Sequence, residues 1–193
     1  RQPIPEGIDS LPIGLSVKGN KIDCYKIGDG SKKVLFVGGI HGNEVGSVKV
    51  CYRLIEWLHY NQAQYKDSTF YIIPVLNSDG YTEALKNPDY WQGGRVGRFN
   101  GNGVDLNRNF PTPSFQSKSV WGMGKNYSEA TEVYCGPGAL SEPETKALVE
   151  FVQKENIAMR MLEDPNYRWR TRKTILRKTG MTESEFEEFM ATH

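Results

Sequence analysis

The chain has 193 residues, 38% of them apolar, 24% charged and 11% aromatic, which fits one ordinary globular domain or one domain with a small appendage. Twenty-four Lys and Arg stand against 23 Asp and Glu, a formal net charge of +1. No global field therefore draws the molecule to nucleic acid or anionic lipid, and nucleic acid is not an expected partner. The longest apolar runs, such as Val34 to Val37, fall far short of the roughly 20 residues a membrane span needs, so no span is expected. Cys24, Cys51 and Cys135 are odd in number and widely spaced, which argues against a disulfide framework and for small buried thiols. Because the chain begins at Arg1 with no hydrophobic leader pattern, an export signal is expected to have been removed or never present.

In chain order, Leu15 to Ile27 reads as two short strands around Lys18-Gly19-Asn20-Lys21, since Gly-Asn can supply the positive φ of a tight hairpin turn. Lys33 to Val37 is a β-branched and aromatic run stopping at Gly38-Gly39, as a buried strand ending in a tight loop would. Val45, Val48, Tyr52, Ile55 and Leu58 then recur at steps of three and four, placing them on one helix face. Thr69 to Leu76 is a second β-rich run, broken by Pro74 and ending in the polar loop Asn77-Ser78-Asp79-Gly80. A strand-helix-strand unit of this length predicts a mainly parallel sheet with helices on both faces.

Asn87 to Gly138 has no lasting periodicity, and long irregular segments in compact domains are usually functional loops. Ser141-Glu142-Pro143-Glu144 reads as a capping box, opening a helix whose buried stripe is Ala147, Leu148, Phe151 and Val152. Ile157 to Leu162 suits another strand, although Arg160 interrupts it. Composition changes after Glu163. The basic run Arg168 to Lys178 reads as a solvated face, and two short helices resembling a helix-turn-helix are expected to form an appendage over residues 163–193, beside an α/β domain over residues 1–162. His59 sits at the end of the first helix, a place for a partly exposed residue rather than a ligand.

His41-Gly42-Asn43-Glu44 directly follows a predicted strand, where Gly38 and Gly39 let the backbone turn so that both side chains converge at the strand's C-terminal end. Open α/β sheets bind ligands there. An imidazole and a carboxylate three residues apart can supply two of the three protein ligands of a catalytic zinc. A satisfied loop pair is the plainer meaning of the same residues. Between Arg98 and Pro111, guanidinium and amide groups crowd a glycine-bearing segment. Arg108 and Arg98 offer planar forks that match a carboxylate, and Asn107 adds amide hydrogen bonds, although a solvated loop with incidental arginines is also possible.

Taken together, His41-Gly-Asn-Glu44, Asn77-Ser-Asp-Gly-Tyr81, Arg98-x-Asn-x-x-Gly-Val-Asp-Leu-Asn107-Arg108-Asn-Phe and Ser141-Glu-Pro-Glu-Thr145 closely resemble the zinc metallocarboxypeptidase family, especially its bacterial branch. The resemblance covers roughly residues 10 to 159, corresponding to the N-terminal half or so of a catalytic domain. It implies an α/β fold around a twisted mixed sheet, a Zn2+ cofactor held by His41 and Glu44, a catalytic Arg98 that polarises the scissile carbonyl, and a clamp of Asn107 and Arg108 on the substrate's terminal carboxylate. The implied partner is a peptide or cell-wall peptide with a free C-terminal carboxylate. Hydrolysis of a C-terminal peptide or amide bond is the implied reaction.

The same resemblance implies a third ligand, a histidine at the end of the strand after the Ser-Glu-Pro-Glu-Thr helix, and a distal glutamate base. No histidine lies between His59 and His193, and from about Arg160 the chain ceases to resemble the family. Three explanations are open: a truncated or fused peptidase half without an efficient site; a site completed by Asp164, His193 or a second chain; or a scaffold that has become a noncatalytic carboxylate- or partner-binding module. A deacylase of N-acyl amino acids is a further enzymatic alternative, disfavoured by the Ser-Glu-Pro-Glu-Thr motif and the extended Arg98 to Pro111 match.

Overall fold

The structure, a computed structural model, describes residues 4–87, 94–121 and 131–157. Four strands, β1 (Ser10–Leu15), β2 (Lys21–Ile27), β3 (Lys32–Val37) and β4 (Ser68–Ile73), form one sheet in the order β1-β2-β4-β3. β3 and β4 run parallel, from Lys32 opposite Ser68 to Val37 opposite Ile73, and are joined by helix α1 (Val45–Tyr60). This is the expected strand-helix-strand unit. β2 is antiparallel to β4 and to β1, so the sheet is mixed. The tight hairpin between β1 and β2 permits only antiparallel pairing, and among the described strands the parallel ladder is that of β3 and β4.

The first hairpin starts earlier than its residues suggest, with Leu15 as the last residue of β1. Gly19 has φ +79° while Asn20 needs no such angle. Asn20 instead closes the turn, its N–H donating to Ser16 Oγ at 3.0 Å and its carbonyl accepting from the Ser16 N–H at 2.8 Å.

Alternation along β4 sends its side chains to two faces. Tyr71 and Ile73 join Ile22, Cys24 and the apolar stripe of helix α3 (Pro143–Lys154): Ala147, Leu148, Phe151 and Val152. On the other face Tyr25, opposite Ile72, meets Tyr52 of α1 edge-on at 6.5 Å. α1 buries Val45, Val48, Cys51, Leu54, Ile55 and Leu58, each worth about 1.5–3 kcal/mol for a full-sized aliphatic side chain. Helices thus cover both faces. The three cysteines are free and buried, and burial pushes the Cys24 and Cys51 thiols up to about 12. No helix among the described residues is long and apolar enough to cross a membrane.

Three local expectations change. Asn77-Ser78-Asp79-Gly80 is not a loop but the start of helix α2 (Ser78–Lys86), where Asn77 Oδ1 accepts the Gly80 N–H at 2.9 Å; residues that cap helices are also those that make turns. The segment from Asn87 to Gly138 contains a 3-10 turn at Leu106–Arg108 and a hairpin of β5 (Lys118–Trp121) and β6 (Thr131–Tyr134). Strands of four residues are too short for alternation to register. α3 begins where expected, but its capping box does not form. Glu144, fully buried, turns inward to accept from the Val17 N–H at 3.2 Å and from Asn100 Nδ2 at 3.1 Å. The strand expected to Leu162, the boundary at residue 162, the helix-turn-helix, Asp164 and His193 lie outside the described residues.

Candidate active site

β3 ends at Val37, and the chain bends at Gly38-Gly39 while keeping its ladder to the segment after β4. The Gly38 N–H donates to the Ile73 carbonyl at 2.8 Å, and the Asn77 N–H donates to the Gly39 carbonyl at 2.8 Å. His41 and Glu44 follow immediately, before α1 begins. Gly42 between them must lack a side chain, because a Cβ there would fall on the backbone of Gly80 and Tyr81.

His41 Nδ1 lies 3.2 Å from Glu44 Oε1. The other ring nitrogen, Nε2, lies 3.0 Å from Asp105 Oδ1. Arg98 donates to Asp105 Oδ2 through Nε at 3.1 Å and Nη2 at 2.7 Å, and its Nη1 stands 3.5 Å from His41 Nδ1. The Asn107 N–H adds a 3.1 Å bond to Asp105 Oδ1. Asp105, fully buried, therefore touches three of the five candidate residues and was not among them. It is the lone acid between Asp89 and Glu129, in a stretch that also holds Arg95, Arg98 and Arg108, and that isolation was the signal available.

Burial alone would raise the Asp105 pKa, but His41 and Arg98 hold it at about 2. Burial likewise works to lower the His41 pKa. The bonds to Asp105 and Glu44 outweigh it and raise the value above the ordinary imidazole range, against the opposing charge of Arg98. An ionised Asp105 can only accept, so Nε2 carries a proton and Nδ1 is the atom available to a metal, which would take the place of a proton there.

The donor set fits zinc as far as it goes. Two ligands of one tetrahedral zinc, each roughly 2.0 Å from it, stand about 3.3 Å apart, close to the observed His41–Glu44 separation. Asp105 stands on the ring nitrogen opposite the one facing Glu44, the position from which a carboxylate can set a histidine's tautomer and ring orientation. Because Asp105 binds the far nitrogen it cannot share a metal with Nδ1, and no group of three or more His, Cys, Asp and Glu side chains among the described residues is arranged to hold one.

Asn107 and Arg108 stand at the 3-10 turn, where they line one side of a cavity of about 350 Å³ with Phe110, Phe115 and Cys135. Asn109 anchors this turn. Its Nδ2 donates to the Cys135 carbonyl at 2.7 Å and to Ser141 Oγ at 3.0 Å, and its Oδ1 accepts from Thr145 Oγ1 at 2.6 Å. Asn77 Nδ2 holds the Arg98 carbonyl at 3.1 Å, and Asn100 Nδ2 donates to Glu142 Oε2 at 2.7 Å. The other three sequence motifs thus all bind the one that runs from Arg98 to Phe110.

A family model described as zinc carboxypeptidase matches residues 2–162. Curated relatives include carboxypeptidase O of Bos taurus, 31% identical over 173 residues, with 82% of this chain and 44% of that protein covered. Mast cell carboxypeptidase A of Rattus norvegicus is 32% identical over 166 residues, covering 77% of this chain and 38% of that protein. Among solved structures, bovine thrombin-activatable fibrinolysis inhibitor in complex with tick carboxypeptidase inhibitor superposes with a TM-score of 0.60 at 28% identity, covering 79% of this chain and 51% of that one. The fold is that of a metallocarboxypeptidase. The chain belongs to the zinc carboxypeptidase family, whose members are hydrolases with a Zn2+ cofactor, and it spans less than half the length of the curated relatives it matches.

Proposed function

We propose that this protein is a zinc-dependent exopeptidase that cleaves at the C-terminal residue of peptides. The observation that carries the proposal is the His41–Glu44 pair, two donors 3.2 Å apart with Asp105 behind the imidazole. When bound, the cofactor supplies Lewis acidity toward the scissile carbonyl and toward water. Arg98 places a fixed positive charge where oxyanion charge develops, which favours the transition state over the ground state. Asn107 and Arg108 take the terminal carboxylate and so restrict cleavage to chain ends.

The third ligand and the base are not among the described residues. We therefore expect the 193-residue chain alone to hydrolyse peptides slowly or not at all, with Asp164, His193 or a second chain as the candidates to complete the site. The solved murein-tripeptide amidase of Escherichia coli O157, with a TM-score of 0.56 at 24% identity, shares the fold. Cell-wall peptides remain one subclass of acceptable carboxylates. A noncatalytic carboxylate-binding module is the second proposal, favoured by the way Asp105 and Asn109 support the clamp through protein hydrogen bonds.

Zinc content after dialysis, with hydrolysis of an N-acyl dipeptide before and after chelation, tests both. Zinc retained by the wild type and lost in His41→Ala supports the first. Stoichiometric zinc in the His41→Ala, Glu44→Ala double variant would place the metal elsewhere. Chelator-sensitive turnover at ordinary carboxypeptidase rates would show that the site is complete and would make Asp164 or His193 the leading third ligand.

A further inference from the structure

Arg98 lies beneath a residue that none of the four motifs contains. Trp121, the last residue of β5, covers the guanidinium, whose Cζ sits 4.3 Å from the ring centroid. Asp105 already occupies Nε and Nη2. Of the three guanidinium nitrogens that leaves Nη1, the one 3.5 Å from His41 Nδ1. The same hairpin also holds the other half of the ion pair, because the Asp105 N–H donates to the Tyr134 carbonyl of β6 at 2.8 Å. Register fixes the two grips relative to each other, with Lys118 opposite Tyr134 and Trp121 opposite Thr131.

Each contact removes a different freedom. Two hydrogen bonds to one carboxylate oxygen fix the guanidinium along its edge but still allow it to swing about that edge. A ring on its face stops the swing. Arg98 is only 4% exposed, and a cation over an indole is held most firmly where water is excluded.

We propose that Trp121 is a positioning residue of the candidate site: its ring and the Asp105 carboxylate together turn the Nη1 group of Arg98 toward the His41–Glu44 pair. The proposal rests on the role assigned above to Arg98, and it adds the β5–β6 hairpin to the machinery. It also predicts a chemical ordering that plain packing would not produce, since the attraction to a cation is greatest for Trp and weaker for Tyr and Phe. Leu, which fills space without a π-face, should not substitute.

The test uses the full 193-residue chain with Trp121→Tyr, Trp121→Phe and Trp121→Leu. The first readout needs neither metal nor turnover: the NMR signal of the Arg98 Nε–H, shifted upfield by the ring and slow to exchange with water. Trp121→Leu should lose the upfield shift and exchange at least about tenfold faster, with Tyr and Phe between. The second readout is affinity of the zinc-loaded chain for a phosphonate dipeptide, which should fall about tenfold in Trp121→Leu and less than about threefold in Trp121→Phe. Affinity of the metal-free chain for the plain dipeptide acid should not change.

Wild-type exchange in Trp121→Leu, or equal losses in Phe and Leu, would overturn the proposal. If the Leu variant does not fold, a rise in exchange rate in the order Trp, Tyr, Phe supports the proposal and its absence overturns it. A wild-type chain that binds no phosphonate would count against the exopeptidase proposal, and the exchange measurement would then decide the role of Trp121 alone.

Discussion

Asn109 and Thr145 are 36 positions apart in the chain, yet the Thr145 hydroxyl donates to Asn109 Oδ1 at 2.6 Å in a buried setting. The bond fastens the 3-10 turn of Leu106–Arg108, the proposed carboxylate clamp, to the first turn of α3. Asn109 also receives the Glu142 N–H and gives its amide protons to Cys135, Gly138 and Ser141. Asn109→Leu would strand several of these groups away from water, each at about 1–3 kcal/mol. Urea unfolding should show a loss of at least about 3 kcal/mol. A loss near zero would mean that the clamp turn holds its shape without Asn109.

Asp105→Asn should act on the metal site and on stability together. The amide has one acceptor oxygen where the carboxylate has two: turned to Arg98, it sets its NH2 against His41 Nε2 and the Asn107 N–H, and in either orientation the buried guanidinium loses its counter-charge, at about 3–5 kcal/mol. Zinc affinity, measured by competition with a chelating dye, should fall about 10–100-fold because the His41 ring loses the group that orients it. Unchanged affinity would mean that Glu44 and the backbone orient the imidazole unaided.

The clamp should distinguish a peptide acid from its amide without metal. Charge-assisted hydrogen bonds contribute about 1.5–3 kcal/mol each, so calorimetry should find the acid bound at least about tenfold more tightly. Arg108→Ala should erase the difference. Equal affinities in the wild type would make the segment from Arg98 to Pro111 structural.

Glu144 predicts a pH effect of definite sign. Burial raises its pKa above the ordinary carboxyl value, partly opposed by Asn100 and the Val17 N–H. Below the ordinary carboxyl value of 4.5, the carboxyl is protonated in both states and contributes no difference. As pH rises above that value the unfolded chain ionises first, so the folded state loses stability until its own carboxyl titrates. Unfolding of the wild type and Glu144→Gln, compared at pH 4.5 and 7, should show the wild type relatively stronger at the lower pH. A difference independent of pH would rule out this linkage.

Several elements could be read directly from residue spacing. α1 was legible because its stripe repeats over four turns, and the turn to His41 because paired glycines follow a β-branched run. α2 was hidden, since Asn77 and Asp79 serve a cap as readily as a loop. Glu144 misled for a related reason: Ser141 and Glu144 stand at capping-box spacing, but the carboxylate finds buried donors from residues 17 and 100 that no local rule anticipates. Asp105 carried a mark, a lone acid among arginines, that the motif spacing alone did not single out. Trp121 had no such mark, because its meeting with Arg98 depends on the pairing of two four-residue strands.

β1 and α3 join opposite ends of the described chain. Glu144 accepts from the Val17 N–H across 127 positions, and a Cβ on Gly14 would come within 2.5 Å of the Ala147 Cβ. During synthesis the first hairpin must therefore wait for α3 before its inner face is covered. At roughly 5–20 residues per second that wait is about 6–25 s. Over that interval the apolar side of the nascent sheet is open to chaperones or to another nascent chain. A translational pause shortly before Pro143 would lengthen the exposure, whereas one well after Lys154 would leave time for the sheet to close before more chain emerges.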